Sequence, residues 1–282
     1  MYAITGITGK VGAAAAATLL DAGRSVRAVL RDPAKAATWK ARGCEIAFAN
    51  FNSVAALTQA FEGAEGVFIM LPPIFDPDPL FSQARALIGN VRSALEAARP
   101  AKVVALSTIG ADAEQVNLLS QLGLLELALG SLPMPVAFLR AGWFIDNAAW
   151  DVAPAQMTGV IPSFLQPLDR RVPMVSTLDV GRTAAALLRE NWSGRRIVDL
   201  EGPERVSPND IAAAFTRLLG KPVTAAAVAR GDWEELFKAQ GMQNPTPRMQ
   251  MLDGFNQGWI AFPGETRKGT VRLDEALRHL TA

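Results

Sequence analysis

Tyrosine, histidine and cysteine occur once each in this 282-residue chain, as Tyr2, His279 and Cys44. One cysteine excludes a disulfide framework and a thiolate metal site, and Cys44 reads as a small packed side chain. One histidine leaves no histidine-built metal centre and no Ser/His/Asp triad, so no metal is expected. His279 lies in the terminal helical stretch and reads as a surface residue. An excess of one charge is missing as well: 28 Lys and Arg against 27 Asp and Glu give a net +1, with no block of like charges. That balance argues against nucleic acid or an anionic membrane as the main partner. No apolar run approaches the ~18 residues of a membrane span. The first strand begins at Tyr2, so no targeting segment is expected and the cytoplasm is the expected compartment.

What is present is apolar: half of the residues, enough for a sizeable core in one large domain or two modest ones. The chain opens on Tyr2-Ala3-Ile4-Thr5-Gly6-Ile7-Thr8-Gly9-Lys10-Val11-Gly12, a short apolar strand running through a glycine turn into an alanine-rich helix. Such a turn presents free backbone N–H groups and a helix N-terminus, which together bind a phosphate. Gly6 would permit the tight turn, Gly9 the close approach of a pyrophosphate, and Gly12 the packing of the helix on its strand. The spacing is G-x-x-G-x-x-G rather than G-x-G-x-x-G, but the flanking strand and helix supply the context that a dinucleotide site requires.

Strands then alternate with helices. Ser25 to Leu30 reads as a second strand, and Arg31-Asp32-Pro33 follows it. An acidic residue there selects NAD and an arginine accommodates the 2′-phosphate of NADP. Arg31 comes first and Lys10 can add positive charge, which favours NADP(H); the alternative is that Arg31 is a solvated loop residue. Helices are expected at Val11–Ala22, Pro33–Arg42, Ser53–Phe61, Leu80–Arg99 and Val116–Gly130, and further strands at Glu45–Ala49, Gly66–Leu71, Lys102–Leu106 and Val136–Leu139. The near-continuous apolar Gly66–Leu71 fits a parallel sheet covered on both faces. The pattern predicts an α/β protein: a Rossmann-like doubly wound parallel sheet over residues 1–150, with ligand at the carboxyl ends of its strands. Residues 151–282 read as a smaller C-terminal substrate-side α/β domain, with part of 172–200 returning to the main sheet. The Met- and aromatic-rich stretch from Met249 to Phe262 reads as core rather than a substrate box.

T-G-I-T-G-K-V-G at the start, V-R-A-V-L-R-D-P after the second strand and L-R-A-G-W-F-I-D-N after the sixth resemble the NmrA-like branch of the atypical short-chain dehydrogenase/reductase superfamily. The late D-V-G, L-E-G-P-E and D-G-F-N-Q-G-W-I stretches fit the same group, so the resemblance spans nearly the whole chain. It implies that Gly6, Ile7, Thr8, Gly9, Lys10 and Val11 hold pyrophosphate and ribose, that Arg31 takes the 2′-phosphate, and that Asn50 and Phe51 flank the adenine. It further implies that Leu71 and Pro72 line the cofactor, that Ser107 lies near the nicotinamide ribose, and that Trp143 and Phe144 wall the nicotinamide. Asn50 departs from the Asp that relatives often carry.

A second departure concerns chemistry. Typical short-chain dehydrogenases use a Tyr-x-x-x-Lys pair to exchange a proton with a carbonyl oxygen. Here no tyrosine lies beyond position 2 and no lysine lies between Lys102 and Lys221. Alcohol–ketone interconversion is therefore disfavoured, whereas a quinone, azo bond or cationic dye accepts hydride directly when stacked on the nicotinamide. The expected function is a flavin-free, NADPH-dependent reductase of a small aromatic electron acceptor, with Phe144, Trp143, Asn147, Trp233 and Phe237 as substrate contacts. Asn147 can donate to a developing oxyanion or serve as a cap or turn residue. The alternative is a non-catalytic NADP(H)-sensing regulatory protein. The sequence leaves open monomer or homodimer.

Overall fold

The structure, a computed structural model, describes residues 1–281. Strand β1 (Tyr2–Ile4) is wholly buried and leads through the glycine turn into helix α1 (Lys10–Asp21). Next come β2 (Val26–Leu30), a 3₁₀ turn at Pro33–Lys35, α2 (Ala36–Ala41), β3 (Glu45–Phe48) and α3 (Val54–Phe61). Then follow β4 (Gly66–Ile69), α4 (Ser82–Ala98), β5 (Val103–Thr108), α5 (Ser120–Leu129) and β6 (Val136–Ala141). The second half holds β7 (Trp143–Phe144), a 3₁₀ stretch at Ile145–Asp151, α6 (Val152–Thr158), β8 (Val160–Ser163), β9 (Met174–Val175), α7 (Thr177–Arg189) and β10 (Arg195–Glu201). It ends with α8 (Pro208–Leu219), β11 (Thr224–Ala227), α9 (Trp233–Ala239), α10 (Thr246–Gln257), β12 (Arg267–Lys268) and α11 (Leu273–Thr281).

Eight strands form one parallel sheet in the order β12-β10-β6-β5-β4-β1-β2-β3. Strand order runs outward from β1 to β3 on one side and from β4 to β6 on the other, so the topological switch lies between β1 and β4. A crevice opens at the carboxyl ends of two such strands, and ligands of open α/β sheets bind there. The alternation of a twisted, doubly covered sheet is visible along β5. Val104 and Leu106 join the core under α1 and α7, whereas Val103 and Ala105 join the core under α3, α4 and α5.

The chain beyond residue 150 serves two places. β10 lies beside β6, β12 beside β10, and α7 packs along α1 in the main layer. A Cβ on Gly181 would meet Ala14 Cβ at 2.5 Å and Val11 O at 2.6 Å, so only glycine lets the two helices touch. The remaining helices surround a third core with the short parallel pair β8 and β11. Three expected helices begin later than the sequence pattern suggests. Pro33–Lys35 forms a 3₁₀ turn before α2. Buried Asn117 folds 116–119 into a turn before α5, its Oδ1 accepting from Leu119 N at 2.8 Å. Asp78 accepts from the N–H of Leu80 and Ser82, holding the chain out of helix until Ser82. Competition from such short polar side chains is the usual reason for a late helix start. Among the described residues no helix is long and apolar enough to cross a membrane.

Candidate functional site

The glycine turn is built by three constraints. Gly6 has φ +62°, a conformation that L side chains rarely adopt, and Gly9 N donates to Gly6 O at 2.9 Å. A Cβ on Gly12 would strike Gly6 O and lie 2.6 Å from Gly6 C and 2.8 Å from Ile7 Cα, all backbone. At Gly9 the nearest atom would be Gly6 O at 3.4 Å, so this position has room. Helix α1 takes glycine as its N-cap, with no side chain bonded to its first turn and no acid within it. Its first N–H groups and the positive end of its dipole are therefore left for an anion. Thr5 staples the turn to β4: its Oγ1 donates to Phe68 O and accepts from Met70 N. Met70 then lays its methyl group over Gly6. Neither Thr5 nor Met70 stands out in the sequence, because their roles depend on β4 lying beside β1.

At the end of β2, Arg31 is exposed and makes no hydrogen bond or ion pair among the described residues. Asp32 is occupied locally, its carboxylate accepting from Ala34 N at 2.9 Å as the cap of the 3₁₀ turn. The cation is thus available and the acid is not. Asn50 forms a turn of its own, Oδ1 accepting from Asn52 N at 2.9 Å. Phe51 was expected beside an adenine, but its ring belongs to the core under α3 and α4, and its carbonyl accepts from Asn90 Nδ2. An apolar ring beside that core gains more from burial than from a solvent-facing shelf.

Leu71 and Pro72 are half-buried at the switch point, directly after β4. Trp143 and Phe144, in β7, are also half-buried, and Trp143 stands edge-on to Phe255 with ring centres 5.3 Å apart. Asn147 is half-buried and its amide has no hydrogen-bond partner among the described residues. It caps no helix. Trp233 and Phe237 are a correction: both are 0% exposed, and both pack against Phe164. Trp233 Nε1 is satisfied by Val228 O at 2.9 Å, so these two rings are core and present no face to a substrate. Ser107 is 2% exposed and its Oγ donates to Glu126 Oε1 at 2.6 Å, so its proton is committed away from any ribose.

That bond belongs to a buried ionic cluster beneath the strand ends. Glu126 accepts from Arg140 Nε and Nη2 at 2.8 and 2.7 Å, and Arg140 Nη1 reaches Asp112 at 2.6 Å. The paired fork geometry is what makes a buried guanidinium tolerable. The other late motifs are structural too. Asp179 accepts from Thr270 N and Val271 N, and Glu201 accepts from Lys268, Thr266 and Arg205. The lone tyrosine lies at the amino end of β1, away from the carboxyl ends of the strands. Tyr2 is buried, donates to Glu65 and has its pKa pushed up to about 12, first by burial and then by that bond. It cannot reach a ligand at the carboxyl ends.

Lys10 has a different partner from the one its sequence position suggests. Its Nζ donates to Asp146 Oδ1 at 2.9 Å, and Asp146 also accepts from Thr177 N and Thr177 Oγ1. Lys10 therefore neutralises a carboxylate placed close to the phosphate cradle. Lys10→Met should uncover that charge and weaken NADH and NADPH binding alike, by about tenfold or less for one partly exposed charge. Titration calorimetry with both coenzymes checks this; a loss confined to NADPH would assign Lys10 to the 2′-phosphate.

Asp151, at the end of the 3₁₀ stretch, has no hydrogen-bond partner among the described residues, and burial raises its pKa from 3.8 to about 7. The native carboxyl keeps its proton where the unfolded one has released it, so stability falls as pH rises from about 4 to about 7 and is level above. Asp151→Asn should raise Tm at pH 8 and leave it nearly unchanged at pH 4. Equal shifts at both pH values would show that the carboxyl does not titrate in this way.

A Rossmann-like sheet with a glycine cradle at its switch point, an uncapped helix and an unpaired arginine at the end of β2 defines a dinucleotide-binding protein. The chain belongs to the NmrA-like family, whose model matches residues 2–256. It is 25% identical over 244 residues to quinone oxidoreductase 2 of Escherichia coli, covering 86% of this chain and 82% of the relative. It is 25% identical over 274 residues to the NAD(P)H azoreductase of Xenophilus azovorans, covering 96% and 90%. The structure of the E. coli quinone oxidoreductase complexed with NADPH superposes with a TM-score of 0.83 at 25% identity, covering 99% of both chains. A triphenylmethane reductase from Citrobacter shares the fold, with a TM-score of 0.77 at 18% identity over 99% of this chain and 97% of that one. Two surface cavities lined by α8 and its neighbours contain none of the cradle residues.

Proposed function

We infer that this protein is an NADPH-dependent, flavin-free reductase that passes hydride directly to an electron-poor aromatic acceptor such as a quinone or azo compound. The observation that carries the reading is the pairing of a complete cradle with an absent proton relay. The cradle is uncapped and glycine-shaped, while α5 offers neither tyrosine nor lysine and the lone Tyr2 is buried at the amino end of β1. The relatives named for quinone and azo reduction point to the same acceptors. NADPH, when bound, supplies the hydride.

The chain's own residues bind and orient. The N–H groups at the start of α1 hold the pyrophosphate, and Arg31 takes the 2′-phosphate, which is why NADPH is preferred over NADH. Leu71, Pro72, Trp143 and Phe144 form an apolar wall against which two flat rings can stack. Stacking at roughly 3–3.5 Å turns a bimolecular encounter into an oriented one. The free amide of Asn147 donates to the oxygen or nitrogen on which negative charge grows. The final proton comes from water, because the reduced quinone or hydrazine anion is delocalised or readily protonated.

The test is to follow NADPH absorbance as purified protein meets a quinone and, separately, an azo dye. Oxidation of NADPH in step with acceptor loss is expected. NADPH binding without turnover of either acceptor would favour the NADP(H)-sensing alternative.

A further inference from the structure

Arginines that leave the surface of this protein do so with an acidic partner, with one exception. Arg27, Arg92, Arg140, Arg196 and Arg267 are half-buried or buried, and each is paired with a glutamate. Arg248 is also half-buried and has no carboxylate among the described residues. Its guanidinium lies over Phe237, 4.4 Å from the ring centre, and its one hydrogen bond is a weak one from Nη1 to Met242 Sδ at 3.7 Å. A guanidinium carries five N–H donors, so most of its donor capacity is unspent. Burial lowers its pKa, with no neighbouring charge offsetting the effect. A partly desolvated cation without a counter-ion is costly, and an anion would relieve that cost.

Its position ties this charge to the acceptor side of the cleft. Arg248 stands near the start of α10, and seven residues on, about two turns and 10.5 Å along the axis, Phe255 stands on the same face. Phe255 is the ring that meets Trp143 edge-on. The start of the helix is fastened to the cofactor side. Pro247 O accepts from Leu118 N, and the N–H groups of Gln243 and Asn244 bond to Asp76, in the loop that begins with Leu71 and Pro72. One face of α10 thus runs from the unpaired cation to the aromatic wall.

We propose that Arg248 binds an anionic group carried by the acceptor, a carboxylate, sulfonate or phosphate, so that the favoured substrates are conjugated rings bearing such a group. The fork of the guanidinium suits two oxygens of one anion, and the half-buried rings of Trp143 and Phe144 suit the ring to which it is attached. The proposal rests on the reductase reading only for what becomes of the ring.

The experiment measures binding as well as turnover. Calorimetry on the NADP-loaded protein compares naphthalenesulfonate with naphthalenesulfonamide, two inert rings that differ in charge. The wild type should bind the sulfonate more tightly by about 10- to 100-fold, the usual range for a charge-assisted pair. Arg248→Met should abolish that preference and leave sulfonamide and NADPH binding unchanged, while Arg248→Lys should keep part of it. In parallel, kcat/KM for a sulfonated naphthoquinone should fall in Arg248→Met, and that for the unsulfonated ring should not. No preference in the wild type, or a preference that survives in Arg248→Met, overturns the proposal. A wild-type preference that Arg248→Met removes, in a protein that reduces neither quinone, supports the anion site and sinks the reductase reading alone.

Discussion

Gly12→Val is expected to leave a protein that is severely destabilised and binds no NADPH. Any side chain at this position begins with a Cβ 2.6 Å from Gly6 C and 2.8 Å from Ile7 Cα, and it also strikes Gly6 O. All three are main-chain atoms, so no rotamer change relieves the clash. Helix α1 would have to move off β1, yet its other flank is held by α7, where Gly181 leaves no slack against Ala14 and Val11 O. Overpacking of a tight core typically costs about 1–3 kcal/mol, and a backbone clash at the centre of two packed helices belongs at or above the top of that range. Gly9→Ala is the informative control. Its Cβ meets Gly6 O at 3.4 Å and the Met70 methyl group at 3.7 Å, both ordinary contacts, so stability should change by less than about 1 kcal/mol. The added methyl group instead occupies the space through which a pyrophosphate approaches the N–H groups. Chemical denaturation and NADPH titration of the two variants separate the roles. Equal loss of stability in both would mean that the turn is only structural.

Arg31→Ala should weaken NADPH binding by about 10- to 100-fold, the value of one charge-assisted contact to a phosphate, and leave NADH binding nearly unchanged. Two observations make this sharper than a sequence motif allows. Asp32, which would favour a free ribose, already caps the following turn through Ala34 N. Lys10, the other candidate for the phosphate, is held by Asp146. Arg31 is left as the available cation among the cradle residues. Dissociation constants for both coenzymes check the prediction, and equal losses would mean that the 2′-phosphate is read elsewhere.

Much of the fold was legible because a doubly wound sheet writes itself locally. Gly66 to Ile69 is apolar throughout since both faces are covered, and Ser207-Pro208-Asn209-Asp210 announces α8 with a capping box in which Ser207 and Asp210 satisfy each other's N–H groups. The stretch from Trp143 to Val175 was not legible. Its strands β7 and β9 are two residues long, too short for any periodicity, and they are held beside the end of β10, where Gly142 N donates to Leu200 O and Gly202 N to Met174 O. The candidate site divides in the same way. Trp143 and Phe144 are half-buried in β7, whereas Trp233 and Phe237 have the same apolar chemistry and lie wholly in the core. Composition cannot separate a ring that lines a cleft from one that fills a core, because both gain from leaving water.

The sequence by itself determined two things: the glycine turn that leads β1 into α1 and the lack of any tyrosine beyond position 2. The first is set by dihedral preferences and helix ends within a dozen residues, and the second by an inventory that no folding can alter. The tertiary structure decided which charges are free. Lys10 meets Asp146 from 136 positions away, Ser107 is bound to Glu126, and Arg248 reaches the interior without an acid beside it. Electrostatic pairing depends on distance in space and on how much water is excluded, and those quantities exist only once the layers have packed.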